Sequence, residues 1–268
     1  FTAVTLIFIV GYILIKGVPH LTPQLFELEY NSENVSMFPA IINTIFMIML
    51  SLLVAGPLGI FAAVYLVEYA KKGNKLVSVV RVTAETLTGI PSIVYGLFGM
   101  LFFVTTLRWG YSMLAGAFTL AIMVLPVIMR TTEEALLAVP DTYREASFGL
   151  GAGKLRTIFV VILPSAVPGI FSGVILSIGR IVGETAALMY TAGTVAELPD
   201  SVMSSTRTLS VHMYSLASEG LYVNQAYATA VVLLVIVLVI NWLSGRIARK
   251  IKNCLLYTSD AADDSLRV

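Results

Sequence analysis

The sequence predicts an all-α, polytopic membrane protein with six transmembrane helices. Of its 268 residues, 57% are hydrophobic and only 12% are charged, and the mean hydropathy is +0.89. Soluble domains carry about 25% charged residues, so this composition argues against a soluble globular enzyme and against a disordered chain. The formal net charge of +1, with no dominant basic patch, also argues against a nucleic-acid-binding protein.

Six segments are apolar enough to be membrane spans, each of which needs about 20 mostly apolar residues. In chain order they are Phe1–Ile15, Pro39–Val67, Leu76–Leu107, Ser112–Met129, Ile158–Tyr190 and Val223–Leu243. The chain begins inside an apolar run, so we expect the first helix to be truncated. Pro91 should kink the third helix.

Lysine and arginine residues are concentrated in alternate loops. The basic loops are residues 68–75 and 130–156, together with the stretch 246–252, whereas the long loops at 16–38 and 191–222 are acidic or neutral. Basic loops stay on the cytoplasmic side of a membrane, so both chain termini are expected to be cytoplasmic. The two long loops would then face an extracytoplasmic partner.

The basic loop between the fourth and fifth helices has an unusual pattern of prolines and glycines. Pro140 ends one helix, and Asp141 or Thr142 can cap the next. A second short helix is expected to begin near Lys154 and to end before Pro164. The glycines lack the spacing of a phosphate-binding loop, so no nucleotide site is predicted. On its residues alone, the default interpretation of this loop is an amphipathic connector.

The run Glu145-Ala-Ser-Phe-Gly149, followed by Ile162-Leu-Pro164, resembles the EAA loop of ABC-transporter permeases. In that family the loop forms a coupling helix that inserts into a groove on the ATP-binding subunit. Ser147 stands where the family usually has alanine, and the spacing from Gly149 to Pro164 fits. The resemblance implies a role in ATPase coupling for Arg144, Glu145, Ala146, Ser147, Gly149, which would permit the turn, and Pro164.

Helix five carries two charges in an apolar setting. Arg180 and Glu184 are four residues apart, which places them on one face of a continuous helix. A charge at the bilayer centre costs about 2.5–3.5 kcal/mol on insertion scales. One interpretation is an ion pair that fixes packing. The other is an oxyanion site, in which Arg180 offers a fork of donors and Glu184 accepts a hydrogen bond from protonated phosphate, which sulfate cannot donate.

Helix three adds a second set of polar groups. Thr88, Ser92 and Tyr95 could line a pathway, while Arg81 and Glu85 form another i,i+4 pair that an interfacial position explains. Two runs resemble signatures of the phosphate-uptake permeases, namely Thr88-Gly-Ile-Pro-Ser-Ile-Val-Tyr-Gly96 and Gly179-Arg-Ile-Val-Gly-Glu-Thr-Ala186. This resemblance implies a role in the phosphate path for Arg180 and, through the same motif, for Glu184.

The resemblance covers residues 1–253 and implies a PstA-type permease domain of a phosphate-import ABC transporter, with the type I importer (MetI-like) fold. Residues 254–268 resemble translated vector sequence and are interpreted as a non-native tail, so the only cysteine, Cys254, is given no role. The implied partners are a PstC-type sister permease, PstB-type ATP-binding subunits that hold ATP and magnesium, and an extracytoplasmic PstS-type phosphate-binding protein. The chain itself is expected to hold no metal or cofactor and to catalyse no reaction.

Several alternatives stay open at this point. A PstC-type sister subunit shares the same motifs, and a permease for another oxyanion would keep the EAA loop without needing Glu184. A membrane enzyme is disfavoured because the sequence has neither a His-Glu-x-x-His motif nor a Gly-x-Ser-x-Gly motif. A secondary transporter would not need a coupling loop.

Overall fold

The computed structural model describes residues 2–71 and 73–264, with the side chains of the described residues up to 246. Every regular element in this part of the chain is helical, which confirms the predicted all-α class. The α-helices are α1 Thr2–Gly17, α2 Phe38–Val64, α3 Lys75–Thr88, α4 Ser92–Gly99, α5 Met113–Leu137, α6 Asp141–Gly149, α7 Lys154–Arg156, α8 Leu163–Gly183, α9 Ala186–Met189, α10 Leu209–Glu219 and α11 Val223–Asp264.

Three π-helical turns continue or join these helices. Tyr65–Tyr69 follows α2, Met100–Thr106 follows α4, and Thr157–Ile162 joins α7 to α8. Two short 3-10 helices, Val18–His20 and Pro23–Phe26, follow α1. The first and third of these turns belong to stretches long enough to span a bilayer, whereas the second extends the short helix α4.

Five helical stretches of the described chain are long and apolar enough to cross a membrane. They are Thr2–His20, Phe38–Tyr69, Met113–Leu137, Lys154–Gly183 and Val223–Arg246. A sixth candidate is the pair Lys75–Thr88 and Ser92–Thr106, whose two helices are bent by 103°. The number of spans is therefore five, or six if the bent pair counts as one.

The third predicted helix is broken rather than kinked. Helix α3 ends at Thr88, and α4 begins at Ser92 with Pro91 in an extended conformation (φ −58°, ψ 140°). Proline has no N–H to donate, and it disfavours a helical conformation at the preceding residue. With Gly89 one residue further back, these effects end one helix and start another.

Three other predicted boundaries are wrong. Helix α5 continues to Leu137, beyond the expected end at Met129. The expected short helix from Lys154 does not stop before Pro164, because α7, a π-helical turn and α8 form one continuous stretch to Gly183. The turn immediately precedes Pro164, and its wider hydrogen-bond spacing accommodates the missing proline N–H. The stretch then ends before the predicted Tyr190.

The chain divides into two compact units. The first comprises Phe1–Val54, Ile90–Met123 and Ile178–Val239, and the second comprises Ala55–Gly89, Val124–Ser177 and Ile240–Val268. The core of the first unit includes Leu25, Met37 and Leu209, which are at most 2% exposed. The core of the second includes Leu136 and Ile162, both completely buried.

Candidate translocation pathway and EAA loop

Helix α4 and the short helix α9 pack closely in the first unit. A Cβ atom on Gly96 would lie 2.8 Å from the Cα atom of Ala187, and one on Gly99 would overlap the side chain of Thr119. Only glycine permits such an approach between backbones. The approach fixes the position of Tyr95, which is 5% exposed on the same helix.

Arg180 and Glu184 do not share a continuous helix, so their predicted arrangement on one helical face is wrong. Helix α8 ends at Gly183, and Glu184 lies in the break before α9. The Glu184 Oε1 atom accepts a hydrogen bond of 3.0 Å from the backbone N–H of Ala187, and the Ser210 hydroxyl donates to the Glu184 carbonyl at 2.6 Å. Glu184 therefore caps α9, and no ion pair joins it to Arg180 in the described chain.

Arg180 is the partly buried cation near the end of α8. It belongs to the same compact unit as Tyr95, one of the three predicted pathway residues of the third helix. Ser92 begins the same helix as Tyr95, whereas Thr88 ends α3 and donates its hydroxyl to the Glu85 carbonyl at 2.6 Å. The structure thus relates Arg180 to Tyr95, and Thr88 belongs to the other unit.

The EAA loop, residues 141–164, contains helix α6 and a turn that leads into the long α7–α8 stretch. The left-handed turn is at Gly151 (φ +81°), whereas Gly149 is the last residue of α6 with a negative φ. The predicted turn at Gly149 is therefore misplaced by two residues. Three glycines fall within five positions of this sequence, and the pattern alone did not identify which one has the positive φ.

The six predicted coupling residues separate into two groups. Glu145, Ala146, Gly149 and Pro164 are exposed. Ser147 is 9% exposed, and its hydroxyl lies 2.8 Å from the Thr157 hydroxyl, so it links α6 to the π-helical turn that follows α7. The exposed group is available to a partner subunit, whereas Ser147 is an internal contact.

Arg144 belongs with Ser147, because its guanidinium is directed into the protein. It donates to the Glu68 carboxylate and to the backbone carbonyls of Leu136 and Val139 at the end of α5. It also pairs with Asp141 at 3.1 Å. The role in ATPase coupling that the resemblance implies for Arg144 stays a prediction, and its side-chain contacts here are all within the protein.

Exposed apolar side chains surround the outward face of the EAA loop. Leu150 is 89% exposed, Leu155 is 64% exposed, and Phe148 and Tyr143 are about half exposed. The sequence analysis missed these residues. Four large apolar side chains within a charged loop were the available signal, since a surface of this kind usually marks a protein interface.

A cluster of charged residues joins α3 to α5 in the second unit. Arg81 pairs with Glu133 at 2.6 Å, and Arg130 lies 3.7 Å from Glu85 and 3.1 Å from Glu134. The predicted i,i+4 pair of Arg81 with Glu85 is therefore replaced by pairs between helices. These side chains line a cavity of about 240 Å³.

A buried polar cluster lies in the first unit where α10 begins. Arg207 is 5% exposed, and its guanidinium carbon lies 4.8 Å from the centre of the Tyr30 ring. The same ring packs edge-on against the fully buried imidazole of His212. Burial, and next the positive charge of Arg207, lower the pKa of His212 to about 3.

Comparison with known proteins identifies the family. The chain matches the family of binding-protein-dependent transport system inner membrane components over residues 55–253. It is 34% identical to the probable ABC transporter permease protein YqgI of Bacillus subtilis, covering 93% of this chain and 92% of that protein. It is 32% identical to the phosphate transport system permease protein PstA of Haemophilus influenzae, covering 85% and 82%.

Among solved structures, the inward-facing MetNI methionine ABC transporter matches with a TM-score of 0.62 at 21% identity, covering 80% of this chain and 94% of that one. This likeness confirms the predicted MetI-like permease fold. With its apolar spans, the chain is a multi-pass inner-membrane protein. Its fold, its spans and its relatives together place the chain in the family of binding-protein-dependent ABC-transporter permeases, with PstA-type proteins among its relatives.

Proposed function

We propose that this chain is the PstA-type permease subunit of an ATP-driven phosphate importer. A PstC-type sister permease would complete the pathway, PstB-type subunits would bind and hydrolyse ATP, and a PstS-type protein would deliver phosphate from outside. The name of the Haemophilus influenzae relative supports phosphate as the substrate.

The observation that carries the proposal is the state of Arg180. It is a cation near the end of a membrane helix, and Glu184, the carboxylate nearest in sequence, is used to cap α9 instead of neutralising it. A guanidinium in an apolar setting offers a planar set of donors suited to a tetrahedral oxyanion. Arg180 would bind phosphate in transit, beside Tyr95.

The distribution of charge supports an orientation. Basic residues are concentrated in the loops that contain Lys71, Arg144 and Arg156, so these loops and both chain termini would be cytoplasmic. The EAA loop would then face the ATP-binding subunits. Closure of those subunits would move α6 and expose the pathway to each side of the membrane in turn.

A permease for another oxyanion is the second candidate. The cap engages Oε1 of Glu184, so one of the two carboxylate oxygens expected to recognise protonated phosphate is already used within the chain. The relative YqgI has a name that states no substrate. Competition by sulfate or molybdate in an uptake assay separates the two candidates.

The test is ATP-driven phosphate uptake by the complex reconstituted with its three kinds of partner subunit. We expect Arg180→Gln to assemble normally and to lose uptake by about 10-fold or more, the value of a charge-assisted hydrogen bond of about 1.5–3 kcal/mol. Arg108→Gln removes an exposed arginine from a loop and is the matched control. Equal uptake by parent and Arg180→Gln would remove Arg180 from the pathway, and a parent that moves no phosphate would overturn the substrate.

A further inference from the structure

The C-terminal end of helix α2 changes from an α-helix to a π-helical turn at Tyr65–Tyr69. The turn closes with a hydrogen bond of 3.0 Å from the Ala70 N–H to the Tyr65 carbonyl. Turns of this kind are uncommon and often occur at functional positions. The carboxylate of Glu68 and the ring of Tyr69 belong to this turn and lie next to each other in sequence.

Two segments of the EAA loop, α6 and the start of α7, contact this π-helical turn. From α6, Arg144 donates Nη2 to Glu68 Oε1 at 2.7 Å and Nε to the same oxygen at 3.2 Å. From the start of α7, Lys154 Nζ lies 4.7 Å from the centre of the Tyr69 ring. Residues on both sides of the loop's Gly151 turn, Arg144 before it and Lys154 after it, therefore contact the end of α2.

The ion pair is largely shielded from solvent, more so than the other ion pairs in the described part of this unit. The side chains of Arg144 and Glu68 are 16% and 9% exposed, whereas those of Arg130 and Glu134 are 56% and 64% exposed. Exposed pairs contribute little, but breaking a buried pair leaves a charge without its partner. If α6 moved and Glu68 did not, the ion pair would break and a large amount of stabilising free energy would be lost.

Arg144 also joins α6 to α5. Two of its remaining donors go to the carbonyls of Leu136, in the last turn of α5, and Val139, just after that helix, and a third goes to Asp141 Oδ1. One guanidinium thus connects the coupling helix with the ends of two membrane-spanning helices. No donor is left to face a partner subunit in this arrangement.

We propose that Arg144 is a positioning residue that transmits movement of the coupling helix to helix α2 through Glu68. This inference rests on the proposed function, since it requires ATP-binding subunits that move α6. The exposed face of the EAA loop would bind the ATP-binding subunits, and its inward face would transmit their movement to α2. Lys154 on Tyr69 provides the second contact that keeps the π-helical turn and the loop moving together.

The first test measures assembly, ATP hydrolysis and phosphate uptake in the complete complex. Glu68→Gln removes the charge and retains the shape, and Glu134→Gln does the same to an exposed pair as a matched control. We expect Glu68→Gln to assemble and to hydrolyse ATP, while the phosphate moved per ATP falls about five-fold or more, the lower end of typical coupling free energies. In Glu134→Gln the phosphate moved per ATP should not change.

A parallel loss of assembly, hydrolysis and uptake, with the ratio unchanged, would reduce the pair to a purely structural role and overturn the inference. Failure of the ATP-binding subunits to co-purify with Glu68→Gln would instead make the pair a docking element and would also overturn it. The double variant Arg144→Glu with Glu68→Arg, which exchanges the two charges, should restore part of the phosphate moved per ATP.

The second test does not depend on which substrate is carried. Spin labels at Tyr65→Cys and Phe148→Cys, in a Cys254→Ser background, report the distance between the end of α2 and α6. We expect one narrow distance in nucleotide-free and ATP-trapped complexes of the parent, and a broadened or shifted distance on trapping in Glu68→Gln. If this distance changed on ATP trapping in the parent, α6 would be moving without the end of α2. That result would overturn the inference even if phosphate uptake is normal. An unchanged distance with no phosphate uptake would overturn the proposed substrate alone.

Discussion

The carboxylate of Glu184 accepts a hydrogen bond from the backbone N–H of Ala187 across the break between α8 and α9. This contact converts the carboxylate into the cap of the next helix and separates it from Arg180. The two charges of the Gly-Arg-Ile-Val-Gly-Glu run therefore have different neighbours and, we expect, different sensitivities to substitution.

Glu184→Gln should keep the cap, because the amide oxygen can still accept from Ala187. Glu184→Ala removes it and should lower the free energy of unfolding by about 1 kcal/mol. Thermal unfolding of the purified permease in detergent measures both changes. If Glu184→Gln were as stable as the parent but lost phosphate uptake, the carboxylate charge itself would be part of the pathway.

The approach of α4 to α9 predicts a cost for any side chain at Gly96. Gly96→Ala places its Cβ against the backbone of Ala187, which cannot rotate away, so we expect a destabilisation of about 1–3 kcal/mol. Gly11→Ala is the control, since a Cβ there would meet nothing within 4 Å. Equal unfolding temperatures for the two variants would show that α4 and α9 separate at little cost.

His212 predicts loss of stability in acid. The folded protein holds its pKa at about 3, well below the ordinary value near 6.5, so the unfolded chain binds the proton more readily. The stabilisation is complete above pH 6.5 and is lost as the pH falls towards 3, by on the order of 2 kcal/mol at pH 5. Arg207 and the Tyr30 ring face the imidazole, and neither supplies a negative charge near neutral pH.

Unfolding temperatures measured between pH 7.5 and pH 5 test this dependence. His212→Leu should flatten the pH profile, whereas His20→Leu, which alters a partly exposed histidine bonded to the Lys16 carbonyl, should leave it unchanged. A slope that persists in His212→Leu would assign the pH dependence to other groups.

Leu150 predicts a contact with the ATP-binding subunits. Its side chain is 89% exposed, so Leu150→Asp should change the stability of the permease alone by less than about 0.5 kcal/mol. We expect the variant to lose co-purification of the ATP-binding subunits, because an apolar contact is replaced by a charge. Leu221→Asp is the control, as Leu221 is 80% exposed in a loop expected on the other side of the membrane.

The spans were predictable because apolar length is a local property of the sequence. Five of the six predicted spans coincide with continuous helical stretches, and the sixth is the bent pair on either side of Pro91. The end of helix five was missed because no proline follows Gly183 to mark it. It is the last helical residue before the break that holds Glu184.

Side-chain partners were less predictable than helices. Arg81 was assigned to Glu85 one turn away, but it pairs with Glu133 on another helix. Arg144 was assigned to an external partner, but it reaches Glu68, 76 positions earlier in the chain. Neither distant partner can be identified from spacing, because each depends on how helices pack against one another.

The break between α3 and α4 has a consequence for solvation. Residues 89–91 lie between the two helices, and Pro91 offers no N–H, so carbonyl groups near the break lack the partners that a continuous helix would provide. Lipid tails cannot hydrogen-bond to such groups, and irregular backbone at membrane depth is stable only against protein or water. If the bent pair lies within the bilayer, water or neighbouring protein groups must contact the backbone of residues 89–91. Water bound at these residues would then show that the bend faces a hydrated part of the permease.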